Sequence, residues 1–79
     1  MASTPQARDV VVLQRARPAK ASQRYVVSVV GRPEQYSEAT YEQALNRADS
    51  FARHEGVDVW YTEDGAAFRS ITRRRVRPA

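Results

Sequence analysis

A chain of 79 residues without cysteine has room for one domain with a thin core, burying roughly 60% of its unfolded surface, and it excludes disulfide and thiolate-metal frameworks. No apolar run approaches the ~20 residues of a membrane span, and residues 1–9 lack the apolar stretch of a signal peptide, so a cytoplasmic protein with no membrane partner is expected. The net charge of +4 is segregated: residues 1–33 carry six Lys/Arg against Asp9, residues 34–64 carry Arg47 and Arg53 against eight acids, and residues 65–79 carry five Arg and no acid. Such segregation favours oriented encounters with anionic partners or with another copy of the chain.

Residues 1–8 are small and polar and are expected as a disordered N-terminal tail. The β-branched run of residues 9–15, Asp-Val-Val-Val-Leu-Gln-Arg, predicts a first strand. Residues 17–22 contain Pro18 and predict a loop. Residues 23–30, Gln-Arg-Tyr-Val-Val-Ser-Val-Val, predict a second strand, broken by Gly31-Arg32-Pro33. Residues 34–39 read as a connector.

Residues 40–55 give the clearest helix. Tyr41, Ala44, Leu45, Ala48, Phe51 and Ala52 share one face of a 3.6-residue period, with Glu42, Gln43, Asn46, Arg47, Asp49 and Arg53 mostly opposite. Thr40 and Gln43 make a capping box, and Gly56 suits the left-handed position after the last turn. Residues 57–62 predict a third strand. Asp64-Gly65 signals a tight hairpin, and residues 67–76 predict a fourth strand that becomes arginine-rich. The expected fold is α+β: a ββαββ domain over residues 9–76, with a four-stranded, mainly antiparallel sheet, one helix on one face, and a C-terminal tail of 77–79. The crossover between the second and third strands is right-handed by default if those strands are parallel.

One helix covers one face of a sheet, yet the first two strands are apolar on both faces, where strands half-exposed to water alternate. Loops can cover the second face, or a second subunit can, across a two-fold axis. With nothing to staple a small core, a homodimer is expected, its contact face drawn from Val11, Val27, Val29, Trp60 and Phe68.

Tyr25-Val26-Val27 in a strand, Thr40-Tyr41-Glu42-Gln43-Ala44 opening an alanine-spaced helix, then Gly56 and an apolar strand leading to Asp64-Gly65 form an ordered pattern. Over residues 9–73 it resembles a family of small bacterial proteins grouped as domain of unknown function 2188. Members of that family usually carry Trp at the Tyr25 position, and many end soon after the last strand, whereas here an Arg-rich extension runs to Ala79. The resemblance implies a compact, bacterial, non-secreted domain and supplies no activity.

Candidates for chemistry are few. His54 is the only histidine and falls in the last helical turn, where an imidazolium interacts well with the carbonyl end. No cysteine, and no serine in a nucleophile motif, stands ready for it. Asp58, Glu63 and Asp64 could chelate a hard cation, but turn chemistry and strand alternation account for them, and the spacing offers too few ligands. Gly31 and Gly65 belong to turns, not to a phosphate loop. Trp60, Tyr61, Phe68 and Tyr25 could stack bases, but the signature octapeptide of RNA-binding sheets is absent, and core packing or a dimer face is the role expected of them. No enzyme, cofactor, metal or small-molecule substrate is therefore expected.

In a continuous strand Arg69, Arg73, Arg75 and Arg77 share one side with Ile71. That row could track a phosphate backbone, pair with acids such as Glu38, Glu42 and Asp49, or guard a sheet edge. The leading expectation is a non-enzymatic interaction module acting as a homodimer. The alternative is a module that binds nucleic acid or an acidic protein through Arg15, Arg17, Lys20, Arg24, Arg69, Arg73, Arg74 and Arg75.

Overall fold

A computed structural model describes residues 4–15 and 24–74. The strands are β1 (Val10–Arg15), β2 (Arg24–Val29), β3 (Gln35–Glu38), β4 (Val59–Thr62) and β5 (Phe68–Thr72), with one helix, α1 (Tyr41–Glu55), between β3 and β4. They form a five-stranded mixed sheet in the order β3-β2-β1-β4-β5. The α+β class and the single helix agree with the sequence reading; the four-stranded antiparallel sheet does not. Two differences account for this. Residues 35–38, expected as connector, pair with β2 as an added edge strand. The first and third expected strands, β1 and β4, are parallel neighbours at the centre of the sheet, while the other three pairings are antiparallel.

The parallel pair follows from the path of the chain. The helix carries the chain back to the end of the sheet where β1 begins, and the Val10 amide donates to the Asp58 carbonyl at 3.0 Å as β4 starts. Thr40 caps the helix, its hydroxyl accepting from the Gln43 amide at 3.1 Å, and Gly56 closes it at φ 69°. Ala44, Ala48 and Ala52 are fully buried at four-residue spacing, so α1 lies close against the sheet. There it meets Val10, Val12, Val27, Val57, Val59 and Tyr61. Tyr41 joins this core to the strands by edge-on ring contacts with Tyr25 and Tyr61, at 5.7 and 5.3 Å between centroids.

The N-terminal segment is not a loose tail over the part described. Residues 6–9 make a turn closed by the Asp9 amide on the Gln6 carbonyl, and the Arg8 amide donates to the Val30 carbonyl, each at 3.0 Å. The Asp9 carboxylate reaches across the sheet: it accepts from the Gln6 amide at 2.9 Å, the Asp58 amide at 3.2 Å and the Trp60 indole at 3.0 Å. At the other edge the last strand ends at Thr72 rather than Val76. The Arg74 amide bonds the Asp58 carboxylate at 2.9 Å, which turns the chain out of the ladder.

Candidate functional site

Of the arginines expected to form one row, Arg69 and Arg73 are described, and Arg73 lies beyond the end of the strand. Strand alternation stops at Thr72, and each described arginine takes a different partner. Arg69 lies over the Tyr61 ring, 5.5 Å from its centroid. The Arg73 Nε donates to the Ser70 hydroxyl at 3.2 Å. Arg74 reaches the helix, its Nη2 donating to Asp49 at 2.7 Å. Arg53 holds the second oxygen of the same carboxylate at 2.7 Å. These bonds, that of Arg74 first, keep the Asp49 carboxyl below its ordinary value.

Arg15 and Arg24 face each other at the far end of the β1–β2 ladder. That is five residues, roughly 17 Å, from the end where Arg73 and Arg74 emerge. Their side chains, and Arg17, Lys20, Arg75 and Arg77 entirely, lie outside what is described. Residues 4–15 and 24–74 together carry nine Arg and nine acids. The described residues are thus neutral in sum, and the surplus of four charges falls on Arg17, Lys20, Arg75 and Arg77, which lie outside them.

The expected dimer face also divides. In the β1–β2 register Val12 stands opposite Val27 and Val10 opposite Val29, so Val27 and Val29 point to the helix. Val11, Trp60 and Phe68 lie on the opposite face, because side chains alternate. There Val11 is 8% exposed and Trp60 2%, and only Phe68 of the three is half-buried. Both faces of β1 are covered within one chain, which explains its unbroken apolar run without a second subunit.

The carboxylates around the β4–β5 connection serve the backbone. Asp64 Oδ1 accepts from the Ala66 and Ala67 amides at 2.8 and 3.0 Å, which keeps its carboxyl below the ordinary value. The connection is a five-residue loop, 63–67, pinned by Asp64 and Thr62, in place of the tight hairpin expected from Asp-Gly. Among the described residues no three His, Cys, Asp or Glu gather as a metal site, and no helix is long and apolar enough to cross a membrane. His54 is exposed in the last turn of α1.

Two surface features were not read from the sequence. The first is the outer edge of β3 with the groove between it and α1, about 640 Å³ and lined by Glu38, Asn46, Arg47, Ser50, Phe51 and His54. Arg47 pairs with Glu38 and lies 4.9 Å from the Tyr36 ring centre, and Tyr36 packs on Phe51 at 5.5 Å. The edge is thereby latched to the helix. Its only sequence signal was the alternation Gln35-Tyr36-Ser37-Glu38. The second is a smaller cleft, of about 220 Å³, at the C-terminal end of α1. Set against family models, curated proteins and solved structures, the chain matches none; the site is read from its own geometry.

Proposed function

We propose that the protein is a small non-enzymatic interaction module that pairs with a second copy of itself through the outer edge of β3. The observation that carries this reading is the contrast between the two sheet edges. The β5 edge holds Arg69, with Arg73 just beyond it, and a register irregularity where it pairs with β4, the devices by which proteins keep an edge from pairing. The β3 edge has neither lysine, arginine, proline nor bulge within Gln35–Glu38, and Gln35 and Ser37 are exposed.

A two-fold axis normal to the sheet and centred on Ser37 would set Tyr36 of each copy opposite Glu38 of the other, and Gln35 opposite Ala39. No like charges meet in that register. The helices would lie on the same side and close the groove beside Phe51. A four-residue ladder with one groove is a low-end interface against the 1,200–2,000 Å² of a stable complex, so the pairing is expected to depend on concentration. A cytoplasmic setting belongs to the same reading. Polyanion binding is the weaker reading, because Arg69 lies over the Tyr61 ring and Arg74 is held by Asp49.

Light scattering across a concentration series tests this. The mass should rise from 9.0 kDa toward twice that value, and Ser37→Lys, which opposes two lysines across the axis, should hold it at the monomer with an unchanged circular dichroism melt. A mass of 9.0 kDa at every concentration up to the millimolar range overturns the proposal, as does a Ser37→Lys protein that pairs like the parent.

A further inference from the structure

The cleft at the C-terminal end of α1 is assembled from three segments: the N-terminal turn, the β2–β3 turn and the last helical turns. Val10, Val29 and Phe51 form an apolar floor, and Arg8, Arg32, His54 and Glu55 stand around it. Two features separate it from an ordinary surface hollow.

The first is the pairing of its arginines. Arg47, Arg53 and Arg74 all hold carboxylates. Among the described residues, which include every acid of the chain, neither the Arg8 nor the Arg32 guanidinium has an ion-pair partner. Glu55 stands in the same cleft without pairing to either.

The second is the backbone at Arg8. It is the one non-glycine among the described residues with positive φ, 74°. It occupies the third position of the turn closed by the Asp9 amide on Gln6. A type II turn requires positive φ there, and glycine meets it without steric cost. Arginine is strained at such a position, and residues held in this way cluster at active sites and ligand clamps. The same turn holds Arg8 at the mouth of the cleft, while Gly31, at φ 90°, and the bond from the Arg32 amide to the Val29 carbonyl turn Arg32 in from the other side.

We infer that this cleft binds a small organic oxyanion, a carboxylate or phosphate monoester on an apolar body, with the oxyanion between Arg8 and Arg32 and the apolar part on Val10, Val29 and Phe51. Guanidinium forks match both headgroups. Glu55 offsets one of the two arginine charges, so it moderates affinity for any anion. No residue of β3 lines the cleft, which shares Phe51 and His54 with the groove beside β3; Arg8 and Arg32 belong to the cleft alone.

The test is an amide NMR titration of the full chain with phenyl phosphate, 3-phenylpropionate, inorganic phosphate and benzyl alcohol. Phenyl phosphate, 3-phenylpropionate or both should shift the amides of Arg8, Val10, Val29, Arg32 and His54, and the tighter of the two identifies the headgroup. Inorganic phosphate and the neutral alcohol should each bind about tenfold more weakly or worse, having lost one half of the contact. Arg8→Gly, which suits the turn and so keeps the fold, and Arg32→Gln should each weaken binding about tenfold, while Glu55→Gln should tighten it. The inference is overturned if neither organic anion shifts these amides, if inorganic phosphate binds as well as phenyl phosphate, or if Arg8→Gly binds like the parent.

Discussion

Replacing Asp9 by alanine should cost more stability than any other single removal of a polar side chain in this domain. The carboxylate is fully buried and accepts the amides of Gln6 and Asp58 and the indole N–H of Trp60 at 2.9–3.2 Å. Water can satisfy Gln6, which is exposed. Asp58 and Trp60 are buried, so the substitution strands two donors at about 1–3 kcal/mol each. Removing a buried charge returns part of that, since the carboxylate no longer has to be desolvated. The net loss is expected at about 2–4 kcal/mol, against a total of roughly 4–12 kcal/mol for a domain of this length. Asp9→Asn keeps one acceptor oxygen and should lose about half as much. Trp60 is the only tryptophan, so urea unfolding followed by its fluorescence and by far-ultraviolet circular dichroism reads both the network and the fold. A cycle with Trp60→Phe isolates the indole bond. If Asp9→Ala lies within about 0.5 kcal/mol of the parent, the range of an ordinary surface change, or if the cycle shows no coupling, the network is not what holds β4 to the N-terminal turn.

Ala48→Leu should destabilise by about 1–3 kcal/mol or more, because Ala48 is fully buried against the sheet, and a lowered urea midpoint would show it. In acid, Asp49 and Asp64 have folded values below their ordinary 3.8. The unfolded chain then binds the proton more readily, so their contribution is fully present above the ordinary carboxylate range and is lost as pH falls through and below it. Asp49→Asn should flatten that acid limb in a series of urea melts. At the other extreme, burial, followed by the neighbouring Glu63, raises Tyr61 above 10.0. The folded state keeps its proton longer than the unfolded one, so stability falls as pH rises past 10.0 toward the folded value. Tyr61→Phe should remove both that fall and the latest step in the tyrosine absorbance titration.

Local signals carried well where the elements obey them. Thr40 and Gly56 bound the helix as their chemistry dictates, and the β-branched runs of β1 and β2 sit within a residue of their expected limits. β3 escaped because an edge strand needs only one inward apolar residue, and Tyr36 alone does not make a periodic pattern. The parallel pairing of β1 with β4 escaped because strand order is a long-range property that no local spacing encodes. The last strand stops short of its expected limit for a specific reason: alternation was extended to Val76, whereas the Asp58 carboxylate captures the Arg74 amide two residues after the ladder ends. The two-sided apolarity of β1 and β2 was assigned to a partner, and the single chain already buries Val11, Val26 and Trp60.

Topology also explains where the free positive charge is found. Because β1 and β4 run in the same direction, Val10 lies beside Val59, Val59 beside Thr72, and Val29 beside Val10. The N-terminal turn, the β2–β3 turn, the end of α1 and the end of β5 all emerge at that one end of the sheet. Arg8, Arg32, Arg53, Arg73 and Arg74 gather there with Asp9, Glu34, Asp49, Glu55 and Asp58, and Asp49 holds Arg53 and Arg74. Glu63 and Asp64 follow Thr62, at the opposite end of β4. Charges of both signs therefore meet at this end, and within the described residues the segregation along the sequence does not become a basic face. A flat polyanion laid across the sheet would meet both signs. A small anion entering at the end of α1 would meet Arg8 and Arg32, which line the cleft without an ion-pair partner, so the cleft is where the charge left unpaired in the described residues favours a ligand.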